Sequence, residues 1–192
     1  MTNQQGVRGR HQSNPSITYR PATPADAESI ADLHALSWRQ SYRGILSDAY
    51  LDGDVERDRR EVWLSRLAYP APNQYLLVAE AEGQLRGFVC AFGDDNPRWG
   101  TLVDNLHVRQ DLKGQGVGTA LLERVGEWVK AGRQHAGFYL WVFEENHAAR
   151  RFYENRGGET VERAVKDNPG GGRAVSLRVA WPTGQLRQQS PR

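Results

Sequence analysis

The stretch DLKGQGVGTALL, residues 111–122, constrains this chain more than any other. Gly114, Gly116 and Gly118 alternate, and a helix-forming run follows at once. Glycine weakens a helix and is favoured where the backbone must take φ > 0 or come close to something. The strand-like TLVDNLHV, residues 101–108, delivers the chain into this turn, so the segment reads as strand, glycine turn, helix. The first turn of a helix has N–H groups without partners, and the helix dipole is positive there. A glycine turn leading into a helix is therefore an anion site. Hydrogen bonds to a charged acceptor contribute about 1.5–3 kcal/mol each, so a few of them can hold a pyrophosphate. Lys113 adds a positive charge at the mouth of the turn.

Three phosphate-binding turns compete for this stretch. The P-loop string G-x-x-x-x-G-K-S/T is absent from the chain. The dinucleotide fingerprint G-x-G-x-x-G needs its third glycine one place beyond Gly118, and it belongs in a first βα unit rather than behind residue 110. The third turn, Q/R-x-x-G-x-G/A, binds the pyrophosphate of coenzyme A. KGQGVG fits it, with Lys113 where Gln or Arg is usual.

The rest of the chain alternates strands and helices. Thr23 and Pro24 mark a helix start, with Asp26 suited to its positive end, and Ala27, Ile30, Ala31, His34 and Trp38 then share one face. A second helix is expected over Val55–Ala68 with Val62, Trp63 and Leu67 inward, and SYRGILSDAYLDG between the two reads as a loop or broken helix. Tyr75–Ala81 and Gln84–Phe92 flank Glu82-Gly83 as a hairpin, followed by the turn-rich GDDNPRWG. Val117, Leu121, Leu122, Val125, Trp128 and Val129 form a helical stripe. Phe138–Phe143 is a strand, Asn146 caps a short helix through Asn155, and strands near 159–165 and 174–180 are joined by KDNPGGGR. A first strand lies near 17–20. This is a mixed α/β pattern without repeats. One domain over 17–181 is expected, with a disordered arm at 1–16 and a flexible tail at 182–192.

LHVRQDLKGQGVGTALLE resembles the strand–turn–helix motif of the GNAT N-acetyltransferases, and WVFEENHAARRFYENRGG resembles their second motif, a strand, an Asn, a helix carrying Phe-Tyr, then Gly. The opening RPATPADAESIADLHALSWRQSYRG is similar to the family's first strand and helix, so the resemblance runs from about Ile17 to Trp181. It implies a mixed, mostly antiparallel sheet flanked by helices and splayed between its fourth and fifth strands, with acetyl-CoA in the gap. It further implies that Leu106 and Val108, beside His107, offer backbone groups to the pantetheine arm. The N–H groups of Lys113, Gly114, Gly116, Gly118 and Thr119 would then surround the pyrophosphate, Asn146 would contact the pantetheine arm, and Gln115, Val117 and Ala149 would complete the cofactor-binding set. Tyr153, after Phe152, takes the place where the family keeps a tyrosine beside the sulfur, so it is the expected general acid for the leaving thiolate.

Acetyl transfer needs a neutral amine. Neutralising a lysine-type amine at pH 7 costs roughly 4–5 kcal/mol, and an α-amino group only about 1. Asp104, in the fourth strand, is the first candidate for the base, ahead of His107, Glu144 and Glu80. His107 points to the opposite sheet face from Asp104 unless a bulge intervenes. Trp38, Tyr42 and Trp63 are candidates for an acceptor pocket or for core, and PGGGR for a hairpin tip or a flap. The acceptor is a small-molecule or peptide amine, and two alternatives stay open: a non-catalytic acyl-CoA sensor, and a transferase using another acyl-CoA.

Charge and composition narrow the partners. Twenty-five basic and 23 acidic residues leave a net charge of +2, which argues against a nucleic-acid protein. Cys90 is the single cysteine, so no internal disulfide forms, and no metal site is expected around His34 or His135. No apolar run approaches the roughly 20 residues that cross a bilayer, and the N-terminus lacks a signal-like apolar stretch. A cytoplasmic protein is expected, and homodimerisation through the last strands stays open.

Overall fold

Period-two alternation in the strands sorts the core into two layers, one on each face of a single sheet. The computed structural model describes residues 16–134 and 137–187. Most of the expected N-terminal arm, His135 and the end of the expected tail lie outside those residues. The elements are β1 (Thr18–Pro21), α1 (Ala27–Ser41), α2 (Asp48–Asp52), α3 (Val55–Ala68), β2 (Gln74–Ala81), β3 (Gln84–Asn96), β4 (Gly100–Val108), α4 (Val117–Gly132), β5 (Phe138–Phe143), α5 (His147–Asn155), β6 (Glu159–Asp167) and β7 (Arg173–Trp181). The seven strands run in the order β1-β2-β3-β4-β5-β7-β6, and β4–β5 is the parallel pair among antiparallel neighbours.

On one face Leu77, Ala79, Val89 and Ala91 pack against the α4 stripe of Val117, Leu121, Leu122, Val125 and Val129. On the other, Leu76, Val78, Phe88 and Cys90 meet Ala27, Ile30 and Ala31 of α1 and Trp63 and Leu67 of α3. The start of α1 follows a 3-10 turn, Pro24–Asp26, where the Thr23 N–H donates to the Asp26 carboxylate at 2.7 Å. That bond satisfies a donor the helix start would otherwise leave open. Val62 is only half-buried, whereas Trp63 is fully enclosed, with its Nε1–H donated to His34 Nδ1 at 2.9 Å. Trp63 is therefore core and not pocket wall.

Three local departures from the sequence reading have physical causes. β3 continues to Asn96 through residues read as a turn, because the Asn96 carboxamide accepts the N–H groups of Arg98 and Trp99 and moves the reversal outward. The broken stretch after α1 contains one helical turn, α2, capped by Ser47 through the Tyr50 N–H at 3.3 Å. Residues 182–187, expected as loose tail, return to the body: Leu186 packs on the core and the Arg187 N–H donates to the Arg156 carbonyl at 2.8 Å.

Two features of β4 shape the centre of the molecule. β4 and β5 are in register only at Thr101↔Phe138 and Leu102↔Tyr139, so the strands diverge beyond Leu102. Cys90 pairs with Asn105 and Ala91 with Val103, which leaves Asp104 as the extra residue of a β-bulge.

Candidate active site

The divergence of β4 from β5 opens two adjoining cavities. The larger, about 780 Å³, runs from the glycine turn along β4 to the first turn of α5. The smaller, about 370 Å³, lies on the side of α1 and α3 and is roofed by Asp167, Asn168 and Pro169 of the β6–β7 hairpin. Both are lined by Tyr42, Leu106, His107, Trp141 and Tyr153, so these five residues form the passage between them.

The glycine turn borders the larger cavity. Gly114 and Gly116 sit at φ +83° and +84°, a region L side chains rarely adopt, and open space lies where a Cβ would be at either position. The first bond of α4 runs from the Ala120 N–H to the Gly116 carbonyl at 2.9 Å. The N–H groups of Val117, Gly118 and Thr119 precede it and have no acceptor within the helix. That is the donor set a pyrophosphate needs, so the residues present fit coenzyme A. The Lys113 N–H instead donates to the Gln110 carbonyl at 3.3 Å, while the residue still lines the cavity. Gln115 lines neither cavity, and its side chain donates to the Asp111 carbonyl at 3.0 Å.

Along β4 the Arg109 N–H donates to the Arg86 carbonyl at 2.9 Å. Strand alternation then turns the backbone groups of His107 toward β3 and those of Leu106 and Val108 toward the gap. Asn146 caps α5 by accepting the Ala149 N–H at 3.2 Å, and both residues line the larger cavity. The sequence reading missed Ser37, Phe152 and Arg156 on the same wall. Arg156 donates to the Thr119 hydroxyl at 2.9 Å and holds α5 to the start of α4.

Tyr153 bridges the two cavities, and among the described residues no hydrogen bond engages its hydroxyl. Burial raises its pKa well above the ordinary phenol value, with Tyr42 adding to the effect, so it is protonated at any physiological pH. Asp104 lines the smaller cavity, but Arg66 Nη1 donates to its carboxylate at 2.7 Å and to Asn105 Oδ1 at 2.9 Å. The bulge at Asp104 brings His107 to the same cavity instead of the opposite face. The His107 ring pairs through Nδ1 with Ser37 Oγ at 2.8 Å and lies 4.5 Å from the ring of His34. Desolvation, then the charges of Lys113 and Arg59, push its pKa down to about 3.

The lesser base candidates fall away. Glu144 is paired with Arg163 at 2.8 Å and Glu80 with Arg20, and neither lines a cavity. Cys90 is buried and its thiol pKa is pushed up to about 12 by desolvation, so it stays a core residue. Trp38 and Tyr42 do reach the smaller cavity, joined by Arg59, Lys166, Trp141 and Phe143, which the sequence did not single out.

Comparison with known proteins agrees with this geometry. Residues 27–157 match the family described as Acetyltransferase (GNAT) family. A probable N-acetyltransferase of Mycobacterium tuberculosis is 32% identical over 146 residues, covering 73% of this chain and 79% of the relative. An uncharacterized N-acetyltransferase of Bacillus subtilis is 26% identical over 173 residues, 86% of this chain and 93% of the relative. Among solved structures, the PaiA N-acetyltransferase of Thermoplasma acidophilum in complex with coenzyme A superposes with a TM-score of 0.67 at 20% identity, over 86% of this chain and 98% of its own. A Salmonella typhimurium structure described with its cofactor acetyl-CoA gives 0.62 at 18% identity, over 92% and 98%. These two likenesses show the fold.

Proposed function

Since the chain belongs to the GNAT acetyltransferase family, we propose that it transfers an acetyl group from acetyl-CoA directly to an amine, with both substrates bound at once. The carrying observation is the pair of cavities that meet at Tyr153, one edged by unpaired backbone N–H groups and the other walled by aromatic and charged side chains. The larger cavity suits the cofactor and the smaller the acceptor. Acetyl-CoA supplies the activated acyl group. The first-turn N–H groups of Val117, Gly118 and Thr119, with Gly114 and Gly116 leaving room, hold its pyrophosphate, and the backbone of Leu106 and Val108 aligns its pantetheine arm.

A neutral amine in the smaller cavity attacks the thioester carbonyl carbon. A C–N bond forms, the C–S bond breaks and the amine loses a proton. Tyr153 gives its hydroxyl proton to the departing sulfur and is reprotonated from solvent, into which the amine's proton is finally released, so no net proton is consumed. Asp104, held at the cavity wall by Arg66, is the proposed acceptor of the amine's proton through water. His107 stays neutral and orients that passage through its bond to Ser37. No covalent acyl-enzyme is needed, since holding two substrates in attacking geometry lowers the barrier on its own.

The test is release of free coenzyme A thiol from acetyl-CoA with a panel of primary amines. Amine-dependent release supports the reading. Tight acetyl-CoA binding with no release from any amine would favour an acyl-CoA sensor, and release only from succinyl- or malonyl-CoA would favour another acyl donor.

A further inference from the structure

We propose that the acceptor taken by the smaller cavity is a small amine that also carries an anionic oxyacid group, a carboxylate or phosphate, bound by Lys166 and Arg59. This deepens the acetyltransferase reading and rests on it.

The cavity's charges are unevenly spent. Its acidic groups are both occupied: Asp104 is paired with Arg66 at 2.7 Å, and Asp167 with Arg173 at 3.2 Å. The basic groups are only partly spent: Arg66 holds Asp104 and Arg59 reaches Asp58. The Lys166 side chain makes neither a hydrogen bond nor an ion pair among the described residues, and its ammonium lies 3.7 Å from the centre of the Trp141 ring. A second cation, Arg178, lies against the same ring at 4.7 Å. Desolvation and Arg178 push the Lys166 pKa down, and the charges of Glu162 and Asp104 offset them only in part. Across the cavity Arg59 is 12% exposed, stacks on Trp38 at 4.4 Å and donates from Nη2 to the Asp58 carboxylate at 3.0 Å, while its Nε is buried without an acceptor.

A buried donor without a partner is destabilising, and an uncompensated charge more so. An anion on the ligand supplies the counter-charge that Lys166 lacks and a second acceptor for the Arg59 guanidinium. A polyamine or a second ammonium would add to a wall that already holds an excess of cations. The volume of about 370 Å³ and the roof of Asn168 and Pro169 suit a small molecule. The aromatic rings of Trp38, Tyr42 and Phe143 would cover its apolar part.

The experiment uses acetylated products, so it does not depend on turnover. The full-length protein saturated with coenzyme A is titrated calorimetrically with N-acetylphenylalanine against its methyl ester, and with N-acetylethanolamine phosphate against N-acetylethanolamine. The anionic member of at least one pair is expected to bind about tenfold tighter than its neutral partner. That advantage should shrink with added salt and disappear in Lys166→Gln, with Arg59→Gln as the second variant. The two pairs separate a carboxylate from a phosphate. Equal or weaker binding of both anionic members, or an advantage that survives both substitutions, overturns the proposal. So does failure of all four compounds to bind the coenzyme A-loaded protein. Failure of coenzyme A itself to bind is seen in the preceding titration, and it overturns the acetyltransferase reading first.

Discussion

The proposed cofactor side and the proposed acceptor side of this molecule meet at Tyr153 and differ in how the chain builds them. The proposed pyrophosphate cradle comes from one contiguous stretch, the glycine turn and the first turn of α4, whose chemistry lies in the backbone N–H groups of Val117, Gly118 and Thr119. The smaller cavity draws single side chains from α1, α3, β4, β5 and the β6–β7 hairpin. A backbone site needs glycines at fixed spacing, and that spacing is visible in one dimension. A side-chain site needs only that strand order and helix packing bring distant residues together. Such a site can change its ligand one residue at a time while the cradle stays as it is.

Breaking the junction should give the largest effect. Tyr153→Phe removes the proposed acid without removing the ring, and kcat should fall about 10²–10⁴-fold. The Kd for acetyl-CoA should stay within about twofold, because the lost hydroxyl makes no bond that shapes the cradle. Unchanged kcat would remove Tyr153 from the mechanism.

Next comes the cradle alone. Gly116→Trp puts a bulky side chain where φ is +84° and the cofactor's pyrophosphate is proposed to lie. Loss of a few charge-assisted hydrogen bonds should weaken acetyl-CoA binding about 100-fold or more. Circular dichroism checks that the fold remains. The converse variant touches the acceptor side only. Gly170, at φ +75°, would drive a Cβ into the Tyr50 side chain, so the hairpin roof rests on α2 at a point only glycine permits. Gly170→Ala introduces about 1–3 kcal/mol of strain and loosens the roof. The KM for the amine should rise while the Kd for acetyl-CoA holds. If both constants move together, the two sides are not separable in the way described.

The smallest effect is on stability. His34 and His107 lie against each other between the two sides, and desolvation holds both below the ordinary value near 6.5, His107 at about 3. In the unfolded chain each would take up a proton as the pH drops below about 6.5, while the folded chain does not. Stability is therefore full above that pH and declines as the pH falls, by up to about 1.4 kcal/mol per pH unit for each histidine. Asp26, lowered to about 2 by Arg20, acts in the same direction only below about pH 4. Denaturant midpoints between pH 6.5 and 5 should show the decline, and His107→Gln should reduce its slope. A flat profile would show that the histidine pair is hydrated.

Much of the fold could be read from the chain because its signals are local. The α3 and β5 limits follow from apolar periodicity, and Asn146 and Gly157 bracket α5. The divergence of β4 from β5 came only through the resemblance, since nothing in either strand's composition states where the pairing ends. Arg59 and Lys166 carried no signal at all. One lies on a helix rich in charge and the other on an edge strand, where a cation usually faces solvent. Asp104 was a candidate by its position in the strand, and it does line the smaller cavity, but its ion pair with Arg66 depends on α3 packing across the sheet.

The most direct measurement is a calorimetric titration of the full-length protein with acetyl-CoA and, separately, with NADH and ATP. The account predicts that acetyl-CoA binds with a stoichiometry of one and that NADH and ATP do not. Binding of NADH or ATP with none of acetyl-CoA would mean that the glycine turn cradles a different phosphate ligand, and the proposed transfer chemistry would fall with it.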